Sequence, residues 1–358
     1  MDKKMKWFIG IGAIIAIILV AVLSAKILQK NQISEEIATK EPEQEIVEEP
    51  EKNEIKIFNG DARPMAFMID NNVNAQPQSA LNRAYLVYEI IVEGKETRLM
   101  ALFKGVDVSN EDIQVGPIRS ARHYFIDYAL ENDAIYCHLG QSPKAEEYVK
   151  NFNVADINGQ IYDTGKARTE TSLYWRNKGK SAPHNAYTSL QSIQKISQDK
   201  KFSMTSNKKS VLNYTSDEVE LKQEDARVAN SVKIPYGANH VVEYVYDDNT
   251  QRYIRYSKGK KQTDELTGED VTTKNIIISF IKNTTLQDGE NKDRQDLNNF
   301  TTASGYYITN GKAEKITCKK DYVGGQTVYK YMSGEEIEVN DGNTWINICP
   351  IDSEVTFE

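Results

Sequence analysis

The chain has 358 residues, with 44 Lys and Arg against 52 Asp and Glu, and therefore a net charge of −8 at pH 7. This length suffices for about two domains, and the acidic balance argues against general binding to nucleic acid, whose phosphates select basic surfaces. Twenty tyrosines beside ten phenylalanines and three tryptophans are typical of a β-rich protein.

The N-terminus carries an almost unbroken apolar run from Trp7 to Ala25, preceded by three lysines. At a helical rise of about 1.5 Å per residue, this run spans roughly 28 Å, close to the hydrocarbon thickness of a bilayer. Residues 1–28 are therefore predicted to form a single transmembrane anchor with a cytoplasmic N-terminus, which places the remaining chain outside the cytoplasm. A cleaved signal peptide is the alternative, although residues 23–25 form a poor cleavage site.

Residues 29–56 are predicted to be an acidic disordered linker, because they contain nine glutamates and few large apolar residues. No cysteine lies near the end of the apolar run, which excludes a lipid-modified N-terminus. The three cysteines are Cys137, Cys318 and Cys349. At most one intramolecular disulfide can form, with Cys318 and Cys349 as the better pair, unless all three are small buried apolar residues.

Residues 57–200 alternate between strand-like and helix-like patterns. Pro64 to Asp70 is a predicted buried strand, and Ala84 to Gly94 with Thr97 to Lys104 is a predicted hairpin. Arg119 to Asn132 is a predicted amphipathic helix. A buried strand follows, and then a helix capped by Ser142.

Residues 201–232 are polar and are predicted to be a connector. Residues 233–358 contain short alternating strands separated by Asn-Gly, Ser-Gly and Asp-Gly turns, which favour a smaller β-rich domain. The predicted fold class is α+β, with a mixed α/β N-terminal domain followed by this β-rich C-terminal domain.

Two arginines stand three residues apart in GPIRSARHYF, residues 116–125. If Arg119 and Arg122 lie on the first turn of a helix, their guanidinium groups face the same side, where the backbone N–H groups also favour negative charge. The anion could be an external ligand or a carboxylate of the protein itself, and the sequence leaves both open.

Glu89 and Glu93 would share one face of a strand, a pattern that suggests a carboxylate pair for glycoside hydrolysis. Four residues of strand separate them by about 13 Å, however, beyond the roughly 5 to 9.5 Å of such pairs. A catalytic pair would need another carboxylate, such as Asp70. The alternative is an ion pair across the hairpin between Glu93 and Arg98.

The four histidines show none of the spacings typical of zinc sites, so we predict no metal and no cofactor. His138 follows a buried strand, and His184 lies in PHNAY, which resembles the start of a helix. Each is expected to form hydrogen bonds at the end of an element, although either could also be a general base.

The chain resembles the YerB-like family of bacterial envelope proteins. The resemblance covers roughly residues 60 to 355 and is carried by ARPMAFMIDNN, QPQSALNRAYLVYEIIVEG, GPIRSARHYF, APHNAYTS and GNTWINICP, in this order. It implies two domains of unknown function outside the cytoplasm of a Gram-positive-type cell, usually on a lipoprotein, with a connection to cell-wall metabolism. This chain departs from the pattern because it lacks the acceptor cysteine. The resemblance supplies no catalytic residues.

Two functional hypotheses follow, besides a purely structural scaffold. The first is an accessory module that binds the cell wall or a wall-processing enzyme and is held to the membrane by residues 7–25. Its polar face would comprise Asp70, Gln78, Glu89, Glu93, Arg98, Arg119, Arg122, His138 and His184. The alternative is a glycan hydrolase or lyase that uses Glu89 or Glu93 as the acid and His138 or His184 as the base.

Overall fold

The computed structural model describes residues 20–29, 55–58, 60–109, 111–221, 226–290 and 292–358. The chain divides into two compact units, Met1–Lys52 and Asn53–Glu358. In the first unit, residues 20–29 form helix α1. The rest of the predicted membrane span over residues 7–25, and most of the predicted linker over residues 29–56, lie outside the described residues. Within the described ranges no helix combines the length and hydropathy needed to cross a bilayer.

Among the described residues of the second unit, strands occur throughout, whereas every α-helix lies before residue 200. The helices are α2 His123–Glu131, α3 Pro143–Asn151 and α4 Leu190–Asp199. The strands up to residue 215 are β1 Met65–Asp70, β2 Leu86–Ile91, β3 Thr97–Phe103, β4 Gln114–Val115, β5 Ile135–His138, β6 Asp156–Asn158, β7 Trp175–Arg176, β8 Ala186–Ser189 and β9 Asn213–Thr215.

The second half of the unit consists of strands and turns. The strands are β10 Arg227–Val228, β11 Ser231–Gly237, β12 His240–Asp247, β13 Arg252–Ser257, β14 Lys260–Lys261, β15 Thr272–Thr273, β16 Asn275–Ile281, β17 Asn283–Thr285, β18 Gln295–Leu297, β19 Thr302–Thr309, β20 Lys312–Lys319, β21 Val328–Tyr331, β22 Glu338–Asn340, β23 Thr344–Pro350 and β24 Thr356–Phe357. The described part of the chain is therefore α+β and rich in strands.

An eleven-stranded sheet runs through both halves of the unit, in the order β10-β20-β19-β16-β23-β2-β3-β1-β5-β6, with β21 beside β20. The halves meet where β2 pairs in parallel with β23, and Glu89 lies opposite Asn347 at this seam. The domain boundaries at residues 57–200, 201–232 and 233–358 remain a prediction. The first and the last of these segments contribute strands to the same sheet.

Both faces of this sheet are covered, which explains why its central strands β1, β2, β3 and β23 are buried at every position. On β1, Phe67 and Ile69 belong to the core that contains α4 and the inner face of a six-stranded sheet formed by β11 to β15 and β24. Met68 belongs to the opposite core, with α2 and α3. Strand β11 alternates between buried and partly exposed residues, as expected for a sheet with one covered face.

Several local predictions are confirmed. Strands β2 and β3 form the predicted antiparallel hairpin. The hydroxyl of Ser142 accepts a hydrogen bond from the backbone N–H of Ala145, and Pro143 occupies the first turn of α3. Asn310 and Gly311 both have positive φ in the predicted turn between β19 and β20.

Two local predictions are wrong. Helix α2 begins at His123, four residues later than predicted, because the preceding backbone N–H groups are used by distant parts of the chain. The N–H of Arg119 donates to the carbonyl of Met68 at 2.8 Å, and that of Ala121 donates to the carbonyl of Gly140 at 2.9 Å. Similarly, His184 does not begin a helix, because β8 intervenes and Ser189 caps α4.

The cysteines follow the second of the two readings of the sequence. Cys137, Cys318 and Cys349 are all buried free thiols. Burial raises the pKa of each thiol, that of Cys318 to about 12. They act as small apolar residues of the core.

Candidate functional site

Six of the nine predicted site residues meet beside the ends of β1 and β3. Asp70, the last residue of β1, lies opposite Arg98 of β3 in the strand register. Arg119 and Arg122 come from the extended segment before α2, whereas Glu93 lies in the turn between β2 and β3. His184, from the loop before β8, completes this group, which we call the arginine cluster.

Asp70 contacts two side chains of the cluster, those of His184 and Arg119. Its Oδ2 atom lies 2.7 Å from Nδ1 of His184 and 3.2 Å from Nε of Arg119. Its Oδ1 atom accepts a hydrogen bond from the backbone N–H of Asn72 at 3.0 Å. Asp70 thereby fixes the positions of both His184 and Arg119.

Glu93 contacts the other two arginines of the cluster, Arg122 and Arg98. Its Oε1 atom accepts a hydrogen bond from Nε of Arg122 at 2.5 Å, and its Oε2 atom lies 4.0 Å from Nη2 of Arg98. The predicted pairing of Glu93 with Arg98 is thus a long contact, and Arg122 is the closer partner. Arg98 instead donates from Nη1 to the carbonyl of Ser120 at 2.6 Å.

Three guanidinium groups face two carboxylates in this cluster, and they influence one another. Burial, with the neighbouring charge of Arg122, lowers the pKa of Arg98 to about 10. Burial alone would raise the pKa of Glu93, but the hydrogen bond and charge of Arg122 outweigh it, and the pKa is lowered. The cluster therefore retains one positive charge in excess.

The cluster is most open at Arg119. The side chain of Arg119 is 26% exposed, whereas that of Arg98 is 7% exposed and that of Asp70 is 6% exposed. Arg119 also forms only a long hydrogen bond of 3.5 Å to the carbonyl of Pro183. An incoming anion would therefore meet Arg119 first, with Arg122 and His184 beside it.

Glu89 lies in a separate, sealed network. It is fully buried, and its Oε2 atom accepts a hydrogen bond from Arg255 of β13 at 2.6 Å. Its Oε1 atom accepts hydrogen bonds from Asn71 at 3.0 Å and from Thr97 at 2.7 Å, with Nε2 of His240 at 3.6 Å. Solvent and substrate have no access to this carboxylate.

The charge state of Glu89 is set by this network. Burial alone would raise its pKa, but the charge of Arg255 and the neighbouring ring of His240 together lower the pKa to about 2. The guanidinium of Arg255 lies over the ring of Trp345 at 4.6 Å from its centroid. Glu89 is thus a structural group that is charged at neutral pH.

The two remaining predicted residues are also buried. Gln78 donates from Nε2 to the carbonyl of Asp70 at 3.1 Å and to Oδ1 of Asn71 at 3.0 Å, which connects the arginine cluster with the Glu89 network. His138 lies elsewhere, with Nδ1 at 2.8 Å from the carbonyl of Gly140 and Nε2 at 2.6 Å from Asp156. Both ring nitrogens of His138 are therefore engaged within the protein.

Sequence reasoning missed Arg255 and His240, the partners that fix Glu89. Arg255 lies at an inward position of β13, between the buried side chains of Tyr253 and Ser257. A charged residue in phase with buried positions of an alternating strand is the signal that could have revealed it. Within the described ranges, no group of three or more His, Cys, Asp or Glu side chains is arranged to hold a metal ion.

Comparison with known proteins agrees with this architecture. Two family models match the chain: the DUF3048 N-terminal domain over residues 52–203 and the DUF3048 C-terminal domain over residues 232–346, both described as being of unknown function. YerB of Bacillus subtilis strain 168, which is named as a lipoprotein, is 33% identical over 292 residues, or 80% of this chain and 81% of YerB.

The crystal structure of YerB from Bacillus subtilis superposes with a TM-score of 0.70 at 30% identity, covering 85% of this chain and 97% of that one. The family identified from the sequence motifs is thus confirmed by sequence and by structure. The chain belongs to the YerB-like family, whose two domains carry the DUF3048 name.

Proposed function

We propose that this protein is a membrane-anchored, extracytoplasmic binding module of the cell envelope, which holds anionic groups of cell-wall material at the arginine cluster. The observation that carries the proposal is the excess of guanidinium over carboxylate groups, with Arg119 as the exposed member. Carboxylates of wall peptides and muramic acid, or wall phosphates, match the planar donor geometry of arginine.

The cluster is preorganised for such a ligand. Arg119 and His184 share Asp70, and Arg122 is held by Glu93, so that little side-chain freedom remains to be lost on binding. The lipoprotein name of YerB supports an extracytoplasmic location. In this chain the apolar run over residues 7–25 would replace the lipid as the anchor.

The alternative hydrolase or lyase receives less support from the geometry. A glycosidase needs one carboxylic acid whose pKa is raised, so that it can protonate the leaving group. The pKa of Glu89 is lowered to about 2, and that of Glu93 is also lowered. His138 is fully buried and engaged at both nitrogens, which makes it a poor general base.

The test measures retention of the full-length chain, kept in mild detergent, on purified insoluble cell wall. Replacing both partly exposed arginines, Arg119→Ala and Arg122→Ala, should weaken binding by about a hundredfold or more, because two charge-assisted contacts of about 1.5 to 3 kcal/mol each are lost. The loss should be larger at low salt. Arg83→Ala is the matched control, because Arg83 is exposed and forms an ion pair with Glu111.

Equal retention of the cluster variant and the Arg83→Ala variant would contradict the proposal. Thermal unfolding of both variants distinguishes loss of binding from loss of structure. Arg119→Lys adds a second check, since it keeps the charge but loses the planar geometry and should bind at an intermediate level.

A further inference from the structure

A cavity of about 570 Å³ lies beside the hairpin of β7 and β8, and its lining is strongly basic. The lining consists of residues 165–169, residues 176–178 and Asn185. These described residues include no carboxylate and four cationic side chains, which are Lys166, Arg168, Arg176 and Lys178. The whole chain, in contrast, has a net charge of −8. We call this cavity the basic cleft, and its volume is typical of ligand-binding sites.

The three segments that line the basic cleft are joined by hydrogen bonds. The backbone N–H of Arg176 donates to the carbonyl of Lys166 at 2.8 Å, and that of Asn177 donates to the carbonyl of Asn185 at 2.8 Å. The side chain of Asn185 also accepts a hydrogen bond from Nη1 of Arg176 at 3.2 Å. The cleft is therefore preformed and does not need a ligand to hold its segments together.

Both arginines of the basic cleft are matched by carboxylates that lie outside its lining. Asp163 accepts a hydrogen bond from Nε of Arg176 at 3.0 Å. Arg168 forms an ion pair with Asp112, and its guanidinium lies over the ring of Trp175 at 4.2 Å from the centroid. The two guanidinium groups are thus fixed in place and lose little side-chain freedom on binding.

The unmatched positive charge of the basic cleft comes from its two lysines. Lys166 and Lys178 are exposed, and neither forms an ion pair with a described residue. Close by, Lys180 is matched by Glu265 at 2.8 Å. Glu170 is the next carboxylate along this loop and does not belong to the lining. Four cations against the two carboxylates that pair with the arginines leave an excess of two positive charges.

The basic cleft adjoins the arginine cluster through the loop before β8. Asn185 lines the cleft, whereas the preceding residue, His184, belongs to the cluster and contacts Asp70. The carbonyl of Pro183 accepts the long hydrogen bond from Arg119. Because consecutive Cα atoms are only about 3.8 Å apart, one segment of chain forms the boundary between the two sites.

From this arrangement we infer that the basic cleft and the arginine cluster together bind one linear polyanion, a wall polymer with an anionic group on each repeating unit. The inference rests on the proposed anion-binding function and names the class of its ligand. A small anion occupies one site, whereas a chain places successive anionic groups in both. When one ligand spans two sites, its affinity exceeds that of either site by about 10²- to 10⁴-fold.

A wall polymer is favoured over nucleic acid as the polyanion. The protein is acidic overall, which opposes general binding of nucleic acid, and its proposed location is outside the cytoplasm. The anionic groups of such a polymer are phosphates or carboxylates, and both match the donors of arginine and lysine. The two kinds of chain are therefore separate probes in the test.

The test measures binding of soluble probes to the full-length chain in mild detergent by calorimetry. The probes are polyphosphate and an oligogalacturonate, with inorganic phosphate and galacturonate as their single-unit controls. The chain that carries the preferred anion should bind about a hundredfold or more tightly than its single unit.

The combined variant Lys166→Ala with Lys178→Ala should weaken binding of that chain by about five- to thirtyfold at low salt. The slope of log affinity against log salt should become shallower by about 1.4, since each lost contact contributes about 0.7 for a flexible polyanion. Lys312→Ala with Lys315→Ala is the matched control, because both lysines are exposed on β20, six strands from β1 in the sheet order. It removes the same charge elsewhere.

Weaker binding and a shallower salt dependence in the cleft variant, but not in the β20 control, support the inference. Equal binding of the chain by these two variants overturns it, as does an affinity no higher than that of the single unit. Tighter binding of a single-stranded DNA oligomer than of both probes also overturns it.

The variant Arg119→Ala with Arg122→Ala separates this inference from the proposed function. If only the inference fails, this variant still loses anion binding whereas the cleft variant keeps it. If the cleft variant loses chain binding and the arginine variant does not, the anion-binding proposal at the arginine cluster fails, and the inference that one chain spans both sites fails with it.

Discussion

The guanidinium of Arg255 lies 2.6 Å from the carboxylate of Glu89, and both side chains are fully buried. Glu89 belongs to β2 and Arg255 to β13, so this ion pair connects the two family domains across their shared interior. It also explains why Glu89, which resembles a catalytic acid in the sequence, is unsuited to that role.

Removing one partner of this pair should destabilise the protein strongly. Glu89→Gln leaves the charge of Arg255 buried without a carboxylate, and we expect the free energy of unfolding to fall by about 3 to 5 kcal/mol. Chemical denaturation measures this change. Glu146→Gln is the control, because Glu146 forms an exposed pair with Lys150 on α3 and should cost less than about 0.5 kcal/mol.

A double variant tests the cause of that loss. Glu89→Gln combined with Arg255→Met removes both charges, and should recover part of the lost stability. An additive loss in the double variant would show that the ion pair is not the source of the effect.

The same ion pair should make the free energy of unfolding depend on pH in the acidic range. The pKa of Glu89 is lowered from its usual 4.5 to about 2, so its contribution is complete above pH 4.5 and is lost as the pH falls through 2. The difference in unfolding free energy between the original chain and Glu89→Gln should therefore shrink between about pH 5 and pH 2. A constant difference over this range would contradict the lowered pKa.

Asp127 on α2 should have the opposite pH dependence. Burial raises its pKa from 3.8 to about 7, although a hydrogen bond from Asn299 and the charge of Lys320 act in the other direction. Folding favours the neutral form of Asp127, so its contribution to stability is complete below pH 3.8 and declines as the pH rises through 7. Asp127→Asn should relieve up to about 4 kcal/mol of this decline at pH 8. Denaturation of both chains at pH 5 and pH 8 checks the sign.

Asp264 should be essential for joining the two domains. Its carboxylate accepts hydrogen bonds from the backbone N–H groups of Ala80, Asn82 and Leu266. Asp264→Ala leaves these three donors, of which that of Ala80 is buried, without a partner, which should cost about 2 to 4 kcal/mol. Asp248→Ala, at an exposed turn position, provides the control in the same denaturation experiment.

The three cysteines should be inert in the native protein. All are buried thiols whose pKa is raised, and a reactive cysteine needs an accessible thiolate. A thiol reagent should therefore modify none of them before denaturation and all three afterwards. Fewer than three reactive thiols after denaturation without reductant would reveal a disulfide.

Local features of the fold could be predicted from the sequence because short-range chemistry determines them. Ser142 before Pro143 specifies the start of α3, and Asn310 with Gly311 specifies the turn between β19 and β20. The start of α2 could not be predicted in this way. The N–H groups of Arg119 and Ala121 are taken by carbonyls of Met68 and Gly140, which are distant in sequence.

The same distinction between short-range chemistry and long-range contacts applies to the candidate site. The sequence by itself determined the family and the strand-rich α+β class, because these depend on composition, alternation and motif order. Only the tertiary structure decided that Arg119 and Arg122 remain partly exposed whereas Glu89 is sealed. The reason is that β13, far along the chain, brings Arg255 to Glu89 of β2. The residue spacing within β2 or within β13 does not indicate this contact.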